Sequence, residues 1–182
     1  MSIEKWNQRY RAAEQSIETP SPLIARFTAD LAAGAALDLA CGTGRNALYL
    51  AERGWRVTAV DGSPIAIAKL RERKIEINAE IDARVADLEG SEFQIRPDSY
   101  DLICDCYYLQ RDLFPHIKTG LRPGGMAIVI VHLSDEPSES ATRARPGELR
   151  AYFDDWRILH YREGRPDDPY HQRAVAEVVA VR

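Results

Sequence analysis

The chain has 182 residues, with 24 lysines and arginines against 28 aspartates and glutamates, a net charge of −4. That length suits one domain burying about 70% of its unfolded surface, and the acidic balance lacks the basic footprint that holds nucleic acid or anionic lipid. No apolar run reaches membrane-spanning length, the opening Met-Ser-Ile-Glu-Lys does not read as a signal peptide, and three cysteines without metal-ligand spacing fit reduced thiols in an expected cytoplasmic setting.

Ile3 to Glu14 reads as a helix with Trp6 and Tyr10 one turn apart on one face. Thr19-Pro-Ser-Pro22 breaks it, and Leu23 to Ala33 is expected to form a second helix. Leu37 to Ala40 is a short apolar strand carrying one carboxylate, Asp38, and it stops at a turn containing Gly42 and Gly44. Glycines there let the backbone turn tightly and approach a ligand. Asn46 to Arg53 has helical apolar spacing, with Gly54 placed to stop it, and Trp55 to Val60 is the next strand, delivering Asp61. Strand, glycine turn, helix, strand, acid is the nucleotide-binding half of a doubly wound sheet, whose acid belongs on ribose hydroxyls.

Ser63 and Pro64 form a good helix start, and the helix runs to about Asn78 with Ile65, Ile67, Ala68, Leu70 and Ile75 on its expected buried side. A short third strand, Ala83 to Ala86, ends at Asp87-Leu88. Tyr100 to Cys106 is the fourth strand, with Cys104 and Cys106 on one face and Asp105 on the other. The two thiols are either a soft-ligand pair or small apolar fillers. Leu109, Leu113 and Ile117 have helical spacing, and Tyr107 and Arg111 follow the strand end; Arg111 faces either substrate or solvent. Leu121-Arg-Pro-Gly-Gly125 turns into a fifth strand, Met126 to Val131, and His132 stands at its carboxyl end as a candidate base or a structural imidazole. Ser134 to Arg145 reads as a polar loop over the site, mobile or disordered. Arg157 to Glu163 and Arg173 to Val181 are the last two strands, joined by a segment carrying two prolines, two aspartates and His171.

The glycine turn by itself satisfies the dinucleotide pattern, with Ala47 in third place. Asp38 distinguishes it, because a carboxylate there repels a pyrophosphate and holds a cation. Asp38-x-Ala40-x-Gly42-x-Gly44 resembles the first motif of class I S-adenosylmethionine-dependent methyltransferases, which usually have glycine at position 40. The Pro-Gly-Gly turn before the fifth strand strengthens that resemblance. Cys-Gly-Thr-Gly-Arg-Asn-Ala-Leu-Tyr-Leu from Cys41 to Leu50, with Gly147-Glu-Leu-Arg150, Tyr152, Trp156, Tyr161 and Glu163, is similar to tellurite-resistance methyltransferases over nearly the whole chain. The stretch after the fourth strand (Tyr107, Tyr108, Gln110, Arg111) is more polar than in that family, which weakens the transfer of substrate but not of cofactor.

The resemblance implies one α/β domain over residues 1–182. It is a Rossmann-like, doubly wound sheet of about seven strands, mostly parallel with the last antiparallel and helices on both faces. Residues 1–33 would cover the cofactor site, and 35–182 would form the core. It implies S-adenosylmethionine as cofactor, leaving as S-adenosylhomocysteine, with no metal. The cofactor would be held by Ala40, Cys41, Gly42, Gly44 and Asn46 at the turn, and by Asp38 near its ammonium. Asp61, Gly62 and Ser63 would sit at the ribose, Asp87 and Leu88 at the adenine, and Asp105 and Cys106 at the amino-acid end. Trp6 and Tyr10 would close over it, plain packing being the alternative, as a turn role is for Asp87. Tyr107, His171 and Arg173 are substrate candidates; His132 and Arg111 are the catalytic ones. The expected function is methyl transfer to a small molecule, a chalcogen oxyanion or a thiol among the options. A nicotinamide-dependent reductase and a non-catalytic cofactor- or metalloid-binding module are the alternatives.

Overall fold

A computed structural model describes residues 2–12, 19–90, 92–134 and 140–182, in two compact units, 1–94 and 95–182. In the first unit the order is α1 (Ile3–Ala12), α2 (Pro22–Thr28), β1 (Ala35–Leu39), α3 (Arg45–Glu52), β2 (Arg56–Asp61), α4 (Pro64–Glu76) and β3 (Ile81–Val85). Its three strands pair in parallel in the order β3-β2-β1, with Asp38 beside Ala59 and Asp61 beside Val85. Parallel pairing requires crossover helices, and α3 and α4 supply them. Their apolar sides bury Leu50, Ile67 and Leu70 completely, together with Leu37 and Leu39 of the sheet.

The second unit contains β4 (Tyr100–Cys106), α5 (Leu113–Gly120), β5 (Leu121–His132), α6 (Glu148–Ala151), β6 (Arg157–Gly164) and β7 (Val175–Val181). The order is β4-β5-β7-β6: β4 and β5 are parallel, and β7 lies antiparallel between β5 and β6. Phe114, Ile117, Leu121 and Phe153 are fully buried around it. Seven strands among the described residues, mostly parallel with an antiparallel last strand, make the expected Rossmann-like pattern.

Several boundaries move for physical reasons. The second helix ends at Thr28, not Ala33: the Thr28 hydroxyl donates to the Ile24 carbonyl (2.7 Å), and Leu31 turns back onto Thr28. Ile75 and Ala68 do not belong to the buried side of α4; Ile75 is 75% exposed, and Ala66 is buried instead. The inward row runs from Ile67 and Leu70 to Lys74, whose ammonium donates to the Ile81 carbonyl, and this turns Ile75 outward. Arg173 precedes the last strand, which begins at Val175. The expected first helix extends to Glu14, which lies outside the described residues, as do 135–139 of the expected loop. The flanks of that loop are held: Ser134 and Ala144 pair through the Leu133–Ala144 bridge.

Candidate cofactor and acceptor sites

In the first unit, the carboxyl end of β1 runs into a turn in which Ala40, Gly42 and Gly44 all take left-handed backbone, at φ +49, +56 and +83. Glycine enters that region without strain, whereas alanine does not. A Cβ at Gly44 would collide with Leu70, so the third position of the motif also lets α3 start close to α4. Asp61, the last residue of β2, clamps the turn: Oδ2 accepts the Gly42 amide and Oδ1 accepts the Ser63 amide, both at 2.8 Å. A carboxylate has about four acceptor sites, so each oxygen retains capacity toward a diol. Burial pushes the Asp61 carboxyl up, against the pull of the Ser63 and Gly42 amides.

Asp38 is 1% exposed near the carboxyl end of β1, and its Oδ2 has no hydrogen-bond partner among the described residues. Burial pushes its pKa up to about 7; the Ala47 amide and Arg45 pull it down, and Asp61 adds to the rise. A buried carboxylate with an unused oxygen is suited to a cationic group. Cys41 is buried beside these two acids, and burial followed by their charges pushes its thiol up, away from thiolate chemistry. Its Sγ donates to the Gly42 carbonyl.

The N-terminal helix is fastened to the β2–α4 turn. Ser63, which caps α4, donates its hydroxyl to Asn7 Oδ1 (2.6 Å), and Lys69 donates to the Tyr10 carbonyl (2.6 Å). Trp6 and Tyr10 stack at 5.8 Å, and the Tyr10 hydroxyl lies directly over Gly42, 2.8 Å from where a Cβ would be. Burial first, then Asp61 and Cys41, raises the Tyr10 phenol well above its ordinary range. Asn7, the one buried residue of α1, is a docking residue that sequence reading passes over; a lone asparagine between two same-face aromatics was its signal.

Other expected residues have structural partners. The Asn46 amide oxygen accepts the Ser21 backbone N–H (2.9 Å), and Gly62 packs against Ile3. Asp87 organises a turn, accepting the Glu89 amide (2.9 Å), and Leu88 is buried. In the second unit, Asp105 and Cys104 are fully buried in β4, and Cys106 is half-buried. Arg111 donates to both oxygens of Glu148 (2.6 and 3.2 Å) and to the carbonyls of Ser140 and Arg143 (2.9 and 3.3 Å), tying down the chain before α6.

Beyond β4 and β5 three rings converge. Tyr107 lies face to face with His171 (centroids 3.4 Å, planes 3° apart), and His132 approaches the two at 5.5 and 5.6 Å. Burial, with the Arg143 charge adding, lowers the His132 pKa, so its imidazole is neutral near pH 7. Arg173 is exposed. No group of three or more His, Cys, Asp or Glu among the described residues is placed to hold a metal, and no helix among them is long and apolar enough to cross a membrane.

The family model described as tellurite resistance protein TehB matches residues 16–169. A curated relative, the probable S-adenosyl-L-methionine-dependent methyltransferase TehB of Haemophilus influenzae, is 31% identical over 138 residues, 70% of this chain and 47% of its own length. The chain thus spans about half the length of the curated relatives it matches. The crystal structure of TehB from Haemophilus influenzae superposes with a TM-score of 0.76 and 25% identity, covering 99% of this chain and 66% of that one. A Burkholderia thailandensis 1,6-didemethyltoxoflavin-N1-methyltransferase, solved with 1,6-didemethyltoxoflavin and S-adenosylhomocysteine bound, shares the fold (TM-score 0.64, 22% identity) over 88% of this chain and 76% of that one.

Proposed function

The chain belongs to the tellurite resistance protein TehB family, and we propose that it is an S-adenosylmethionine-dependent methyltransferase acting on a small molecule. The carrying observation is Asp38: a fully buried carboxylate with one unused oxygen, at the end of a strand that opens into a glycine turn. The ammonium of S-adenosylmethionine is its natural complement, and a pyrophosphate its opposite, which disfavours the nicotinamide reductase. Asp61 offers the remaining acceptor capacity of its two oxygens to the ribose, and Asp87 and Leu88 are assigned to the adenine. The anchoring of α1 through Asn7 and Lys69 supports Trp6 and Tyr10 as a cover over the turn. The family match runs through both units, which supports reading 1–182 as one domain.

The cofactor supplies an already activated methyl electrophile. The protein then has to align donor and acceptor and exclude water, effects able to supply roughly 7–11 kcal/mol. The acceptor is assigned to the three-ring cluster, with His132 as the group that takes a proton and a thiol or chalcogen oxyanion as the substrate. Cysteines that are mostly buried fit a reducing cytoplasm. Calorimetric titration tests the cofactor assignment: S-adenosylhomocysteine binds, NADH does not, and Asp61→Ala weakens binding. Unchanged affinity in Asp61→Ala would remove the ribose assignment.

A further inference from the structure

Resting on the methyltransferase reading, we propose that Asp168 is the positioning residue of the acceptor site, and that the wall it sets takes a small nucleophile still carrying its proton, a thiol first. Asp168 lies in the β6–β7 connection and is 3% exposed. Its three acceptors all hold that corner in place. Oδ2 takes the Tyr107 hydroxyl (2.9 Å), Oδ1 takes the Tyr170 amide (3.1 Å), and its carbonyl takes the His171 amide (3.1 Å). One residue therefore fixes both members of the Tyr107–His171 stack. The next residue back, Asp167, is held by Arg162 (3.0 Å), which also pairs with both oxygens of buried Glu177 (3.0 and 3.1 Å).

Tyr107 itself sits at φ +67, left-handed backbone that is strained for a non-glycine residue and that clusters at functional sites. It directly follows the carboxyl end of β4, and His132 ends the parallel neighbour β5, the rim at which such sheets bind ligands.

The polarity of this wall selects the ligand. The phenolic proton is given to Asp168, so Tyr107 presents an oxygen and a ring face rather than a donor. His132 is a neutral imidazole whose Nδ1 is buried and has no hydrogen-bond partner among the described residues. The Asp168 carboxylate is in direct contact with the phenol. Two acceptor groups beside the Asp168 carboxylate, with the Arg143 cation acting on His132, favour an X–H group over a fully deprotonated oxyanion. In the transfer, a lone pair on the thiol sulfur forms the new carbon–sulfur bond. The methyl–sulfonium bond breaks with its pair remaining on the departing sulfur, and the thiol proton passes to His132.

The test compares wild type with Asp168→Ala, Asp168→Asn, Tyr107→Phe and the Asp168→Ala/Tyr107→Phe double variant. Methyl transfer is measured with 2-mercaptoethanol and with tellurite, S-adenosylhomocysteine affinity by calorimetry, and the His171 ring protons by NMR. Asp168→Ala and Tyr107→Phe each lower kcat about 10²-fold, the scale of a small misplacement, with cofactor affinity unchanged. The double variant is no worse than either, and Asp168→Asn recovers most activity because its amide oxygen still accepts the phenol. In Asp168→Ala the His171 protons leave the Tyr107 ring current. Additive losses, or unmoved His171 resonances, overturn the positioning role. Faster transfer to tellurite than to the thiol overturns the acceptor class. Absence of transfer by wild type to any acceptor overturns the transferase reading instead, and the His171 shift then still decides the positioning.

Discussion

Replacing Asp38 by asparagine should stabilise the empty protein while disabling it, and the gain should depend on pH. The unfolded carboxyl titrates near 3.8, whereas burial moves the folded one to about 7. Because the native state holds its proton more tightly, wild-type stability falls as pH rises through this window and levels off above it. A shift of about 3 units at about 1.4 kcal/mol each amounts to about 4 kcal/mol, undiluted by solvent because the side chain is 1% exposed. Asparagine keeps the shape and cannot ionise. Urea denaturation of both proteins from pH 4.5 to 8.5 should show the variant gaining about 1.4 kcal/mol per pH unit up to pH 7, then a constant margin. S-adenosylhomocysteine affinity should fall sharply in the variant, and in wild type it should rise with pH through 7. A stability margin independent of pH would refute the picture of Asp38 as a charge buried for a ligand.

Ala40→Gly should stabilise the chain by about 0.5–1 kcal/mol, the left-handed penalty of about 1–2 kcal/mol less the added freedom of the unfolded glycine; a shift of the urea midpoint to lower concentration would contradict this. Arg111→Ala removes charge-assisted bonds to a Glu148 that is 10% exposed, and should cost about 2–3 kcal/mol. It should also speed amide exchange between residues 140 and 148 and leave S-adenosylhomocysteine affinity alone. Although burial raises the Glu148 pKa, Arg111 and Arg145 outweigh it and hold the carboxyl below its ordinary value. The Arg111 contribution is therefore full above about pH 4.5 and fades as pH falls through the lowered value, so the gap between Arg111→Ala and wild type should narrow in acid.

The features written in local chemistry were readable in advance. Tyr100 to Cys106 alternates and is bounded cleanly, and the structure has β4 over the same residues. Gly54 follows α3 at φ +85, as a helix stop should, and Ser63 caps α4 with its side chain on the Ala66 amide. What the sequence concealed depends on partners remote along the chain. Ile75 looked inward by spacing, but Lys74 takes the inward row because the Ile81 carbonyl is within its reach. Arg111 read as facing either substrate or solvent until Glu148, 37 residues on, appeared in its fork. Asp168 was one of two aspartates in a loop; only folding separates them, Asp167 toward Arg162 and Asp168 toward Tyr107. Ala40 carried a legible warning, since a position where the resembled family has glycine proved to be left-handed.

The most direct test of the central claim is transfer of labelled methyl from S-adenosylmethionine, with tellurite, selenite and a panel of small thiols and amines offered separately and both headspace and solution counted. The account predicts labelled product with at least one acceptor, lost in Asp38→Asn and Asp61→Ala. Tight cofactor binding without transfer to any of them would contradict it and leave a binding module in place of an enzyme.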